Sequence, residues 1–319
     1  MSRKISLKSL IFFDYSLFLI YIMRVTKEII MEQNIEYLNS EEAARILGVN
    51  VSSIKRWTDS GKLSCIQTKG GHRKFLMSHL AKFLEDNLKI SSRANIFAIE
   101  NDYDLEISYH VMKGNFIILT DAIYNNAING NRHEVQKILT GLYLGQYPLY
   151  EIYDHLLTPV LHRLGENWAE GKLSIIEEHI GSQSIRDCIN RLQGIITLPK
   201  ATGQIALCIN TYEDLHDIAL KMVQNVLEFR GFLTFFSGEL TPVVDLDIIL
   251  DKLKPLRLYV SSTYVADPGK TQPEVNQIFN LCAARNIDGY VGGSGWDSLD
   301  YDHPAVKARL KTFEQVYNV

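Results

Sequence analysis

"IALCINTYEDLHDIALKMV", residues 205–223, carries the pattern that decides the fold. Ile205–Ile209 is a short apolar run with no helical spacing, which reads as a buried strand. The polar stretch that follows reads as a loop, and apolar positions return at helical spacing from about residue 217. Three more short apolar runs come later: "FLTFF" (232–236), "LRLYVSS" (256–262) and "DGYVGG" (288–293). Helical stretches near 217–230, 243–254 and 271–285 lie between them. Strands alternating with helices predict an α/β doubly wound parallel sheet, Rossmann-like, over residues 203–319. In such a sheet ligands gather at the carboxyl ends of the strands. The rest of this segment is expected to add one more helix and a final strand near "TFEQVY" (312–317), without a terminal covering helix.

The loop after the first strand is therefore the best place in the domain for a functional side chain. It holds Asp214 two positions before His216. A carboxylate beside an imidazole fixes its tautomer and raises its basicity, as carboxylates do for metal-bound histidines. One imidazole cannot hold a bare metal ion. It can supply a single axial ligand to a metal already held by a macrocycle.

Upstream, residues 115–198 show apolar positions at three- and four-residue spacing. Helices are expected near 116–128, 132–144, 148–169 and 174–195, separated by "NGN", "GQYP" and "EGK". Four helices on short connections predict a bundle. Residues 91–114, mixed and polar, suit a linker or a leading helix.

From Tyr37 the chain reads "YLNSEEAARILGVNVSSIKRWTDSGKL". Ser40 is a candidate N-cap of a helix ending near Gly48, and a second helix spans about Val51 to Asp59. Val51, Ile54 and Trp57 can pack on Ala43, Ala44 and Leu47, leaving Ser52, Ser53, Lys55 and Arg56 free for a DNA groove. Residues 35–90 hold nine Lys and Arg against six Asp and Glu, a local charge of +3 in a chain of net charge −4. A positive face for DNA is thus confined to this segment. "TKGGHRKF" (68–75) then reads as a wing turning at Gly70-Gly71, with His72, Arg73 and Lys74 placed near phosphates.

The whole chain of 319 residues, 46% hydrophobic and 22% charged, reads as a multi-domain globular protein. Its four cysteines stand singly, without the spacing of a zinc site or a disulfide framework, which suits a reducing cytoplasm. Residues 1–34 form an N-terminal extension whose apolar run is broken by Asp14. It reads either as a misassigned start upstream of Met31 or as an apolar N-terminal helix. A membrane anchor fits less well, because the run is shorter than a spanning helix requires.

Several of these stretches resemble known families. "GVNVSSIKRW" with "TKGGHRKF" resembles the DNA-binding domain of MerR-type and excisionase-like regulators. Asp214-Leu215-His216, then Ser261-Ser262-Thr263, then Gly292-Gly293 resemble the marks of cobalamin-binding domains. In that family the His takes the cofactor's lower cobalt position and the displaced nucleotide tail threads between the Ser/Thr and Gly-Gly loops. Ala219 stands where the family has Gly. "LGENWAEGKLSIIEEHIGS", with Trp168 ten and eleven positions before Glu178 and His179, resembles the cap of cobalamin-binding photoreceptor regulators of the CarH and LitR type. There these residues cover the upper face of the cofactor and contact its adenosyl group. The residue after the Trp is a His in light-sensing members and Ala169 here; His162 and His179 are the nearest imidazoles in the sequence.

The resemblances imply a cytoplasmic, non-enzymatic transcriptional regulator that binds operator DNA as a dimer or tetramer and senses cobalamin, chiefly adenosylcobalamin, with a possible light response. No membrane partner is expected. Two other functions stay open at this stage: a corrinoid carrier of methyl groups, and a cofactor-independent MerR-type regulator whose C-terminal half is an interaction platform.

Overall fold

A computed structural model of the chain describes residues 37–47, 49–68, 70–86, 102–239 and 241–319. The expectations for residues 1–34, for Gly48 and for residues 91–101 lie outside the described residues.

The first unit is a helix-turn-helix with a wing. Helix α1, Ser40–Ile46, has its cap one residue before the expected one. Asn39 Oδ1 accepts the backbone N–H groups of Glu41 (2.8 Å) and Glu42 (3.0 Å), while Glu42 Oε2 accepts from Asn39 N at 2.6 Å. A reciprocal pair of this kind satisfies two otherwise orphaned donors, so Asn39 rather than Ser40 starts the helix. Helix α2, Val51–Asp59, is capped by Asn50, whose side chain accepts from Ser52 N. Ile54 is fully buried in one cluster with Ala43, Ala44 and Leu47. Val51, expected in that core, is instead exposed at the first position of α2, where it borders the groove that Asn39 to Glu41 also line. Trp57 is half-buried and lies 4.7 Å from the ring of Phe83 on α3, Met77–Asp86. Between α2 and α3, β1 (Ile66–Gln67) pairs antiparallel with β2 (Arg73–Lys74). The hairpin turns through Gly71 at φ +79, a conformation that favours glycine.

The second unit is helical. Helices α5 (Phe116–Ile128), α6 (Arg132–Leu144) and α8 (Ile175–Gln193) match the expected spans. Helix α7 runs in three pieces, Leu149–Ile152, a π-helical turn Tyr153–Leu157, and Thr158–Ala169. A fifth helix precedes them. Of the two readings of residues 91–114, the leading helix holds over α4, Asp102–Lys113, which buries Ile107 and Val111 in the shared core. Helix α8 starts at a capping box between Ser174 and Glu177. It approaches α7 closely at Gly181, where a Cβ would meet Leu164 Cδ2 at 2.9 Å.

The third unit is a five-stranded parallel sheet in the order β4-β3-β5-β6-β7, from β3 (Ile205–Asn210), β4 (Leu233–Phe236), β5 (Arg257–Ser261), β6 (Asp288–Gly292) and β7 (Val306–Leu310). Helix α9 (Ile218–Phe229) joins β3 to β4, α10 (Leu246–Leu253) joins β4 to β5, and α11 (Pro268–Ala283) joins β5 to β6. The end of the segment departs from expectation. "TFEQVY" is not a strand but α12, Phe313–Asn318, started by the Thr312 hydroxyl accepting from Gln315 N. The final strand is the "VKARL" of β7, and only a short 3-10 turn, Ser294–Asp297, lies between β6 and it. Strand β7 alternates apolar and basic residues in place of an apolar run, with Lys307 exposed and Arg309 half-buried on this edge strand. The covering helix thus exists.

Candidate functional site

The order of strands reverses direction between β3 and β5, so the loops after these two strands flank the switch point of the sheet. Strand β3 delivers Asn210, Thr211 and Asp214 to that point, all buried. Asn210 holds the loop by donating from Nδ2 to the backbone oxygens of Asp214 (3.4 Å) and His216 (3.2 Å).

Asp214 is fully buried, and both of its carboxylate oxygens are engaged. Oδ1 accepts from His216 N (2.9 Å) and faces His216 Nδ1 at 2.7 Å; Oδ2 accepts from Thr263 N at 2.5 Å. The imidazole itself is 61% exposed. Its Nδ1 is committed to the carboxylate, which leaves Nε2 as the outward nitrogen. The Asp214 hydrogen bond raises the pKa of His216 against the opposing effect of partial burial, and the charges of Glu178 and Glu239 add to the rise. The pairing read from the sequence is present in the fold.

Around this point the first β-strand loop, the Ser262 loop and the Gly293 loop meet. Ser261 is buried at the end of β5, and Thr263 is half-buried. Gly293 has φ +104, and a Cβ there would stand 2.2 Å from Ser262 O. Gly292 faces Leu310 O at 3.2 Å from the same construction. The Gly-Gly pair was expected to admit a ligand; its bare backbone instead admits the neighbouring loop.

The bundle residues expected at the site lie on α7 and α8. Trp168 is half exposed near the end of α7. Glu178 Oε2 is bound to His179 Nδ1 at 2.6 Å, and its Oε1 accepts from Ser182 Oγ at 2.5 Å. Glu178 and His179 therefore satisfy each other, with the His179 side chain 70% exposed. Ile175, Ile176 and Ile180 are exposed on the same stretch of α8, and Tyr212, Leu215 and Tyr264 on the sheet loops. Ala169 and His162 are exposed on α7, and Ala219 is half-buried against the core.

One feature had no sequence signal. Arg186 of α8 reaches across to the loop carrying His216, with Nη2 2.7 Å from Asp217 Oδ1 and Nη1 3.1 Å from Glu239 Oε1. Burial raises the pKa of Asp217, with Arg186 pulling it back down. Partners separated by some thirty and fifty positions leave no local pattern, so only the fold could bring them together.

On the helix-turn-helix, Ser52, Lys55, Arg56 and His72 are exposed, and Ser53 and Lys74 half-buried. Arg73 is different: its Nη2 is bound to Asp59 Oδ1 at 2.5 Å, so the guanidinium is tethered to the end of α2. His72, Arg73 and Lys74 line a groove shared with Asn39 to Glu41 and Val51.

Comparison with known proteins agrees with both halves. A helix-turn-helix domain family matches residues 37–88, and a B12 binding domain family matches residues 119–193. The chain joins a helix-turn-helix domain to a B12-binding domain. The B12-binding match covers α5 to α8, including Trp168, Glu178 and His179, and the parallel sheet follows it. The chain is 22% identical to the HTH-type transcriptional repressor CarH of Myxococcus xanthus over 84% of this chain and 91% of that protein. It is 24% identical to putative resolvase R80 of Acanthamoeba polyphaga mimivirus over 51% of this chain and 92% of that one. Among solved structures it is similar to the monomethylamine corrinoid protein of Methanosarcina barkeri, with a TM-score of 0.52 at 13% identity, over 63% of this chain and 95% of the other. That likeness gives the fold of the bundle and sheet.

Tested against a corrinoid, the residues divide. His216, with one nitrogen fixed by a buried carboxylate and the other outward, fits a single axial ligand to a ring-held metal. The joined Ser262 and Gly293 loops do not fit a tail threaded between them. Among the described residues no cluster of three or more His, Cys, Asp or Glu could hold a bare metal ion. Among the same residues no helix is long and apolar enough to cross a membrane.

Proposed function

We propose that this chain is a transcriptional regulator that binds operator DNA through α2 and the wing and senses a corrinoid held between bundle and sheet. The observation that carries the reading is the Asp214–His216 pair at the switch point, with Nε2 of His216 outward. A corrinoid supplies a cobalt centre whose axial ligands set its colour and, in alkyl forms, its lability to light. His216 would be the lower ligand, held by Asp214. Trp168 and the Glu178–His179 pair would form the lid, consistent with the B12-binding match on those helices. Ser261, Thr263, Gly292 and Gly293 would shape the loops beside His216 rather than hold a nucleotide tail. No residue is assigned a catalytic role.

The adenosyl form is proposed because Trp168 and the Ile175–Ile180 stretch offer an exposed apolar surface on the bundle side, suited to a bulky upper group. Cofactor-controlled assembly follows if the loaded and empty forms expose different bundle faces to a second copy, since a ligand shifts assembly only by differential affinity. On the bundle side Ala169 offers no imidazole, whereas His179, its Nδ1 held by Glu178 as Asp214 holds His216, is exposed with Nε2 outward.

Purified protein incubated with adenosylcobalamin or adenosylcobinamide in the dark, then passed through gel filtration, tests the reading. Wild type is expected to retain at least one of them with a changed absorption spectrum, and His216→Ala to lose it. Retention by the variant equal to wild type removes His216 as ligand. Neither ligand retained by wild type favours a second reading, a regulator that works without cofactor, which the closed loops at Gly293 also support.

A further inference from the structure

The three loops at the switch point are sewn to one another by direct hydrogen bonds. Thr211 N donates to Ser261 O (3.0 Å), and Thr211 Oγ1 to Ser262 Oγ (3.0 Å). Ser262 N donates to Gly292 O (2.9 Å), Gly295 N to Ser262 O (2.8 Å), and Ser294 Oγ to Thr263 O (2.8 Å). Thr263 N closes the ring onto Asp214. The fit between the second and third loops leaves no room for a methyl group. A Cβ on Gly293 would stand 2.2 Å from Ser262 O, and one on Gly295 2.5 Å from Ser262 Oγ.

Behind this seam the space is taken by protein. Trp296 on the turn after Gly293 is 1% exposed and packs in one cluster with Val260 and Val291, at the carboxyl ends of β5 and β6. Its ring lies 6.1 Å from those of Phe279 and Tyr301. The indole N–H has no hydrogen-bond partner among the described residues. Above the seam the picture reverses: His216 is open, and Tyr212, Leu215 and Tyr264 stand exposed around the loops.

From this contrast we infer that the chain takes a corrinoid by its ring and lower axial position alone, leaving the nucleotide tail outside the protein. The inference rests on the reading of His216 as cobalt ligand. A tail entering between Ser262 and Gly293 must break the hydrogen bonds from Ser262 N and Gly295 N and displace a buried tryptophan. A tail left outside gains nothing from the protein, yet its base still competes with His216 for the lower position. A ring without the tail is therefore the better ligand, and Trp296 with Gly293 sets that preference.

The test is a titration of the full chain in the dark with adenosylcobinamide, which lacks the nucleotide tail, and with adenosylcobalamin, which has it. Binding is followed by equilibrium dialysis and by the change in visible absorption. Adenosylcobinamide is expected to bind at least as tightly as adenosylcobalamin, and His216→Ala to abolish the absorption change with it. Adenosylcobalamin binding tenfold tighter or more overturns the inference while leaving His216 as ligand. Binding of neither, or a spectrum indifferent to His216→Ala, overturns the ligand reading and the inference with it.

Discussion

The pair at the centre of the site has a titration that can be measured without any cofactor. Asp214 is buried and holds His216 by both its backbone and its ring, and the pKa of His216 is raised above its ordinary value near 6.5. A raised folded value means that the native chain holds the proton more tightly than the unfolded one. The stability it brings is complete below the unfolded pKa and is lost as pH rises through the folded value. Because the imidazole is largely exposed, the contribution is under about 1 kcal/mol. Urea unfolding of wild type and His216→Gln should show the widest gap near pH 5.5 and a vanishing gap in the alkaline range; a gap that widens with pH reverses the assignment. The cobalt ligation proposed for His216 would have the opposite slope, since it needs the neutral ring and would strengthen over the same window.

At the scale of elements, helix α2 and the wing are joined by the Asp59–Arg73 ion pair, and this sorts the basic residues. Arg56 stands free on α2, whereas Arg73 is held by Asp59 at 2.5 Å. A phosphate contact made by Arg56 implies that Arg56→Ala makes the slope of log affinity against log salt shallower by about one. Asp59→Ala removes a negative charge and releases Arg73, so it should tighten DNA binding and steepen that slope. An unchanged slope in both variants, measured by fluorescence anisotropy on one DNA fragment, moves the DNA face elsewhere.

The same scale shows what the sequence could and could not carry. Helices α2, α5, α6, α8 and α9 were legible because an apolar stripe at helical spacing is a local property. Strands β3 to β6 were legible as short apolar runs between turns. Strand β7 was not, since Lys307 and Arg309 break its apolar residues into an alternation with no continuous run. Helix α12 looked like a strand because Phe313, Val316 and Tyr317 are β-formers, and packing on α9 overrides that preference. In the site, Asp214 and His216 are two residues apart and could be read together. Arg186 with Asp217 and Glu239, and Gly293 with Ser262, meet only through the fold.

Taken as a whole, bundle and sheet are joined along two seams of different character. One lies beside His216 and is polar: Arg186 on Asp217 and Glu239. The other is buried and centres on the π-helical turn of α7, whose extra residue per turn aims Tyr153 and Asp154 at the sheet domain. Tyr153 accepts from Asn225 Nδ2 at 3.0 Å, and burial raises the pKa of its phenol far above the ordinary value. Asp154 accepts Phe313 N on Oδ1 (2.8 Å) and Glu314 N on Oδ2 (2.9 Å), so a carboxylate of the bundle caps α12 of the sheet domain. Two charge-assisted bonds to helix N–H groups make this seam the stronger, and Asp154→Ala should destabilise the chain by about 2 kcal/mol. Its distinctive result should be local. Amide exchange at Phe313 and Glu314 should accelerate to near the rate of an unprotected chain, while β3 and β5 keep their protection. Arg186→Ala, acting on the polar seam, should leave α12 protected and cost under about 1 kcal/mol. If instead both variants loosen α12 equally, the two seams work as a single joint, and the site beside His216 is coupled directly to the packing of the bundle.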